Sequence, residues 1–170
     1  MNLNSNKNPK ITIITVVKNN EKYLEENIKS LINQTYQNYE HIIVDGLSTD
    51  KTMDIITRHK NKIHKIISER DNGLYDAMNK GIQNASGDII GILNSDDYFY
   101  KDALNIVRKY FESFPDIDFL FGTVFKHKIL HGYKPWKIKW TFGFYTTHSV
   151  GFFIKKSSQW KIGLYNLDYK

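Results

Sequence analysis

The chain contains no cysteine. That excludes a disulfide framework and a thiolate zinc site, and it agrees with a reducing compartment, the cytoplasm. No stretch approaches the roughly 20 consecutive apolar residues of a membrane-spanning helix. The opening MNLNSNKNPK has none of the apolar content of a secretion signal, so residues 1–10 read as a flexible lead-in and the mature chain is expected to start near Met1. The turn after the first apolar run, Lys18-Asn19-Asn20-Glu21, lacks the Gly-x-Gly-x-x-Gly pattern of dinucleotide-dependent oxidoreductases. Acidic residues also run out: after Asp118 the only one is Asp168.

What is present fits one folded domain. A length of 170 residues suffices for a single layered core, and 41% hydrophobic with 25% charged residues is a globular balance. The net charge of +6 is concentrated late. Lys126, Lys128, Lys134, Lys137, Lys139, Lys155, Lys156 and Lys161 alternate with Trp136, Trp140, Phe142, Phe144 and Tyr145. Three readings fit this half: a solvated basic surface, peripheral contact with an anionic membrane at its cytoplasmic face, or a phosphate-bearing partner. Nucleic acid would feel the same field. No arrangement in the chain resembles a nucleic-acid module, so that partner ranks last.

Periodicity gives the order of elements. Ile11 to Val17 is β-branched and nearly all apolar, the mark of a central strand in a parallel sheet. Leu24, Ile28, Leu31 and Ile32 follow at helical spacing, with Glu21, Glu25 and Glu26 at the helix start, where the macrodipole favours acids. A strand at His41 to Val44, a turn from Asp45 to Asp50 and a helix through Met53 and Ile56 come next. Lys62 to Ile67 reads as a strand, Leu74 to Ala85 as a helix, and Asp88 to Leu93 as a strand. Leu104, Val107, Phe111 and Phe114 space out another helix, stopped by Pro115. The alternation predicts an α/β layered domain with a mainly parallel central sheet flanked by helices. From Ile117 the pattern loosens into β-rich pieces, with a short helix near Ser157 to Ile162.

Ligands of such sheets bind beyond the carboxyl ends of the strands. Four groups fall there: Val17-Lys18-Asn19, Asp45-Gly46, Glu69 to Gly73, and Asn94-Ser95-Asp96-Asp97. The last is the most telling, because an apolar strand breaks into adjacent carboxylates, and a divalent cation on a phosphate substrate is a common reason for such a pair. An acidic turn that only caps the next helix is the plain alternative. Asp45 has two readings, a nucleobase acceptor or a turn stabiliser bonded to backbone N–H groups. On the helix after Gly73, Asp76, Asn79 and Lys80 share one face, with Leu74, Met78, Ile82 and Ala85 opposite.

Taken in order, ITIITVVKNN, IIVDGLSTD and ERDNGLYDAMNKGIQNASGDIIGILNSDD resemble family 2 glycosyltransferases, which carry the GT-A nucleotide-sugar-binding fold, a Rossmann-like layered architecture. The likeness runs from about Ile11 to Tyr98 and returns weakly in HSVGFF and WKIGLYNLDYK. It implies a single GT-A domain, with a nucleotide-sugar half at 11–98 and an acceptor half at 99–170.

The implied activity is inverting transfer of a sugar from a nucleotide-sugar, a UDP-sugar, to a glycan or lipid-linked acceptor in surface polysaccharide synthesis. The alternative is a nucleotide-sugar-binding module without a complete catalytic set. By the resemblance Asp45 is the base-recognising aspartate, Val17 and Asn19 pack around the base, and Asp71 and Gly73 approach the nucleotide. Asp76 and Asn79 face the donor phosphate and sugar. Asn94, Asp96 and Asp97 occupy the family's metal motif, for Mn²⁺ or Mg²⁺: Asp97 as direct ligand, Asp96 on ribose or metal, Asn94 where an acid is usual. Lys18 stands where tyrosine is common. His148 falls in a segment lining the acceptor side, and the general base is expected beyond Lys170 rather than at Asp168.

Overall fold

A computed structural model of the chain describes residues 8–126, 128–130 and 151–168. His148 and the tryptophan-rich stretch around Trp136 and Trp140 lie outside the described residues. Within the described residues, helices and strands follow one another as β1 (Ile11–Val17), α1 (Leu24–Ile32), β2 (Tyr39–Asp45), α2 (Thr52–Arg58), β3 (Lys65–Ser68), α3 (Leu74–Asn84) and β4 (Ile89–Ile92). Then come α4 (Ala103–Ser113), β5 (Phe119–Phe121), the hairpin β6 (Val124–Lys126) and β7 (Lys128–Leu130), β8 (Phe152–Lys155) and α5 (Lys156–Ile162).

Six strands form one sheet in the order β3-β2-β1-β4-β8-β5. The first four run parallel, and β8 lies antiparallel to both β4 and β5. Every residue of β1, β2 and β4 is buried, as expected for strands covered on both faces. Alternation sends Ile11 and Ile13 to one face, with Leu31, Leu104, Val107 and Phe111 of α1 and α4, and Ile14 and Val16 to the other, with Met78 and Ile82 of α3. Gly81 lets α3 sit directly on the sheet, since a Cβ there would lie 2.3 Å from Ile14 Cγ2. That close approach fixes where the start of α3 meets the strand ends.

Several expectations shift. The strand expected at Lys62 to Ile67 begins later, because residues Lys60–Lys62 close a 3-10 turn and β3 spans Lys65–Ser68. Leu74, placed on the apolar face by spacing, is 54% exposed at the first position of α3, beyond the sheet's cover. Phe114 follows the last residue of α4 and is also exposed. Two of the late lysines donate to backbone carbonyls: Lys156 to that of Ala85 at 2.7 Å, and Lys155 to that of Pro115.

The amino-terminal end of the sheet is held by a charge. Glu40, at the second position of β2, is buried and accepts from Lys10 Nζ (3.0 Å), Thr12 Oγ1, Ser86 N, Ser86 Oγ (2.6 Å) and Gly87 N (3.2 Å). Burial works against its ionised form, but these donors outweigh it and bring the carboxyl down to about 2 from an ordinary 4.5. Because the folded value is depressed, the stabilisation is complete above pH 4.5 and is lost as pH falls through 2. Glu40→Gln turns an amide N–H₂ toward this set of donors and is expected to cost about 1–3 kcal/mol at pH 7. Urea titrations at pH 7 and at successive steps below pH 4.5 check this: the wild type should lose its advantage over the variant across that acid window, and a constant gap would contradict it.

Candidate functional site

Strand register levels one end of the sheet. Val17 pairs with Asp45 and Asp45 with Ser68, so β1, β2 and β3 end in one row. Leu93 N donates to Ile14 O at 2.9 Å as β4 leaves the sheet beside them. The loops that follow are stitched by side chains. Asn19 N donates to Ser48 Oγ (2.8 Å), Thr49 N to Asn19 Oδ1 (2.7 Å) and Asn20 N to Thr52 Oγ1 (2.9 Å). Asn20 Nδ2 reaches across to Ser95 Oγ at 2.8 Å. These turns require left-handed backbone at Asn19 (φ 52°) and Leu47 (φ 58°). Asparagine accepts that conformation readily and leucine does not.

Asp45 is wholly buried, and its role as a turn stabiliser is visible in its bonds. Both carboxylate oxygens accept from Ser48 N at 3.2 Å, and Oδ2 also accepts from Ser68 Oγ at 2.8 Å. Val17 is buried beneath the next turn, with its carbonyl accepting from Gly46 N at 2.9 Å. A Cβ on Gly46 would lie 2.2 Å from Asp71 Oδ2 and 3.3 Å from Lys18 Cδ, so these two side chains meet over the glycine. Asp71 Oδ1 accepts from Gly73 N at 3.0 Å, and Gly73 takes φ 119°.

Asp76 holds the same loop by accepting from Asn72 N at 2.9 Å. Lys80, on the same face, donates to the Arg70 carbonyl (2.6 Å) and pairs with Glu69 (3.0 Å). Burial lowers its pKa, but Glu69 and Asp76 outweigh that and raise it. Asn79 does not join this face. It is buried and forms a two-way bond with the Tyr165 backbone, Nδ2 to the carbonyl and N–H to Oδ1, both at 2.8 Å. Tyr165 also stacks on Tyr75, 5.3 Å between centroids. The segment after α5 is thereby docked on α3, with Asp168 exposed just beyond.

The acidic loop is anchored from below by a residue that motif reading passed over. Asn27 of α1 is 1% exposed, and its Nδ2 donates to the carbonyls of Asn94 (2.8 Å) and Asp97 (2.9 Å). Its Oδ1 accepts from Thr15 Oγ1 at 3.3 Å, and Thr15 Oγ1 lies 2.9 Å from His41 Nε2. Thr15 has one proton, so giving it to Asn27 requires His41 to donate from Nε2. Burial first, and the neighbouring His64 second, bring the His41 pKa down to about 3, so the ring stays neutral. A signal for Asn27 did exist: a polar amide inside the buried stripe Leu24, Ile28, Leu31 needs a partner.

Above Asn27, Asn94 Nδ2 donates to Asp97 Oδ2 at 3.2 Å, Asp97 is half-buried and Asp96 is exposed. No group of three or more acidic or histidine donors assembles among the described residues. Two carboxylates and an amide oxygen suit a Mg²⁺ or Mn²⁺ ion that takes its remaining oxygens from a phosphate ligand and water, not an all-protein cage.

Residues 12–164 match the family described as glycosyl transferase family 2. An uncharacterized glycosyltransferase of Methanocaldococcus jannaschii, MJ1057, is 36% identical over 140 residues, which are 77% of this chain and 48% of that protein. TuaG of Bacillus subtilis, named provisionally as a teichuronic acid biosynthesis glycosyltransferase, is 35% identical over 103 residues, 59% of this chain and 41% of TuaG. The chain spans less than half the length of each of these relatives.

Among solved structures, Staphylococcus aureus TarS 1–349 superposes with a TM-score of 0.79 at 22% identity over 95% of this chain and 51% of TarS, so the GT-A fold is shared. Its complex with UDP-GlcNAc matches at a TM-score of 0.58 and 28% identity, over 61% of this chain and 31% of that one.

Asn27→Ala should release the acidic loop at a cost of about 1–3 kcal/mol, because two carbonyls lose their donor. Amide exchange would accelerate at residues 93–98 and stay unchanged at 86–88, at the other end of the sheet. Equal exchange at both ends would contradict the anchoring role.

Proposed function

The chain belongs to glycosyl transferase family 2, and from that premise we propose that it forms the donor-binding part of an inverting glycosyltransferase. The donor is a nucleotide-sugar, a UDP-sugar, and the acceptor a glycan or lipid-linked carrier used for surface polysaccharide. The observation that carries the reading is the gathering at one sheet edge of Asp71 over Gly46 and the Asn94–Asp97 loop, joined through Asn20 and Ser95. The UDP-GlcNAc complex of TarS supports the donor class, and the name of TuaG supports the acceptor class. A lipid-linked acceptor would place the work at the cytoplasmic face of a membrane. No helix among the described residues is long and apolar enough to cross one.

In the proposed reaction the bond from the anomeric carbon to the diphosphate breaks as an acceptor hydroxyl bonds that carbon from the opposite face. The hydroxyl proton passes to a general base, a role assigned neither to Asp168 nor to His148. A divalent ion held by Asp97, with Asp96 and Asn94, would supply Lewis-acid stabilisation of the departing diphosphate. This chain's own contribution is positional. Asn27 sets the height of the acidic loop, Asn20 ties it to the turn after β1, Asn19 ties that turn to the one after β2, and Asp76 with Lys80 shapes the loop that carries Asp71. The reading of a binding module without transfer activity keeps the same donor site.

Calorimetry with UDP, with and without Mn²⁺, tests the proposal. Mn²⁺ is expected to tighten UDP binding at least about tenfold, about 1.4 kcal/mol, and Asp97→Ala to remove that gain. Metal-dependent UDP affinity that survives in the variant would sink the assignment.

A further inference from the structure

We infer that the nucleobase of the donor is read by the Asp71 carboxylate, held over Gly46, and not by Asp45. The inference rests on the donor site proposed above and names the group that selects its base.

Asp45 has no surface to offer. It is 0% exposed, and its oxygens are occupied by the Ser48 N–H and the Ser68 hydroxyl. Reaching a ligand would mean breaking the turn that it closes. The next residue, Gly46, is buried and has no side chain, and the volume a side chain would fill there is taken by another carboxylate. Asp71 Oδ2 lies 2.2 Å from the position of a Cβ on Gly46. A Cβ here would push the Asp71 carboxylate aside, so with glycine an acid from the β3–α3 loop arrives where a side chain of the β2–α2 turn would otherwise project.

The placement of Asp71 is built by several groups. Oδ1 is fixed by Gly73 N, the loop on one side by Asp76 through Asn72 N, and on the other by Lys80 through the Arg70 carbonyl. No described residue donates to Oδ2, and the side chain is half-exposed. The stem of Lys18 packs over the same glycine, with its residue exposed, so it gives an apolar wall beside the carboxylate while its ammonium stays in water.

An ionised carboxylate only accepts hydrogen bonds. It therefore suits a base that presents a ring N–H, which is N3–H of uracil or the N1–H and amino pair of guanine. The ring nitrogens at the matching edge of cytosine and adenine carry lone pairs and would face the carboxylate repulsively. A site built to receive an N–H rejects an analogue that lacks it more strongly than an apolar pocket rejects a small change in shape.

The test compares UDP, GDP, CDP and ADP, each with Mn²⁺, by calorimetry on the wild type, Asp71→Ala, Gly46→Ala and Asp45→Asn, with Mn²⁺-pyrophosphate as a probe that has no base. The wild type is expected to favour UDP or GDP over CDP and ADP by at least about tenfold, and the pair also decides between uracil and guanine. Asp71→Ala should bring the four nucleotides within about twofold of one another, with pyrophosphate affinity unchanged. Gly46→Ala should do the same by displacing the carboxylate while the Asp76 and Lys80 anchors remain. Asp45→Asn should lower the melting temperature and keep the preference.

Retention of the base preference in Asp71→Ala overturns the inference and leaves the proposed function standing; a wild-type preference for CDP or ADP overturns the inference together with the UDP donor. Failure of the wild type to bind any of the four nucleotides or pyrophosphate overturns the proposed function, and the inference with it. Should Asp45→Asn not fold, the two variants over Gly46 decide alone.

Discussion

The parallel pairing of Ile11–Val17 with Tyr39–Asp45 is the constraint on which the rest depends. Seven consecutive pairs fix the register, and a slip of one residue would send every buried side chain to the opposite face. Ile14 and Val16 would then lose Met78 and Ile82 of α3, and Ile11 and Ile13 would lose the α4 face. The same register sets Val17, Asp45 and Ser68 level. It is the reason that loops far apart in sequence meet at one edge, where the side chains of Asn19, Asn20 and Ser48 tie them together.

The two ends of this sheet use polar groups in opposite ways. At the amino-terminal end, Glu40 keeps its charge by satisfying five donors, and the result is a closed, structural node. At the carboxyl end, the amides of Asn19, Asn20 and Asn27 tie one loop to another, and the carboxylates of Asp71, Asp96 and Asp97 stay at or near the surface. Between them, Thr15 and His41 carry a hydrogen-bonded path through the core to Asn27. Buried polar contacts of this kind are costly if incomplete. In this sheet they position the acidic loop.

Much of this was legible in the sequence where one physical signal dominates. An unbroken β-branched run gave away β1, shorter apolar runs gave away β2 and β4, and apolar stripes at three- and four-residue spacing gave away α1, α3 and α4. The family resemblance agrees with the match over residues 12–164. Short, exposed β3 was harder, since only a parallel edge pairing with β2 defines it. The place of β8 between β4 and β5 is a tertiary outcome that no local pattern encodes. Asn79 illustrates the limit of helical spacing: it shares a face with Asp76 by geometry, yet the Tyr165 backbone covers it. Asp45 shows a limit for motifs: the sequence left it as a base acceptor or a turn stabiliser, and the bonds described for it are those of the turn.

The proposed site places a nucleoside diphosphate and its divalent ion at the carboxyl ends of β1, β2 and β4. Mn²⁺ is paramagnetic and broadens nearby amide resonances, and a seven-residue strand at about 3.3 Å per residue separates the two ends of the sheet by about 23 Å. Titrating Mn²⁺ into the labelled protein with UDP present should broaden the amides of residues 19–20, 46–48, 71–73 and 94–97 and spare those of 86–88. Broadening centred on residues 86–88, or broadening at the loops that is indifferent to UDP, would contradict the account.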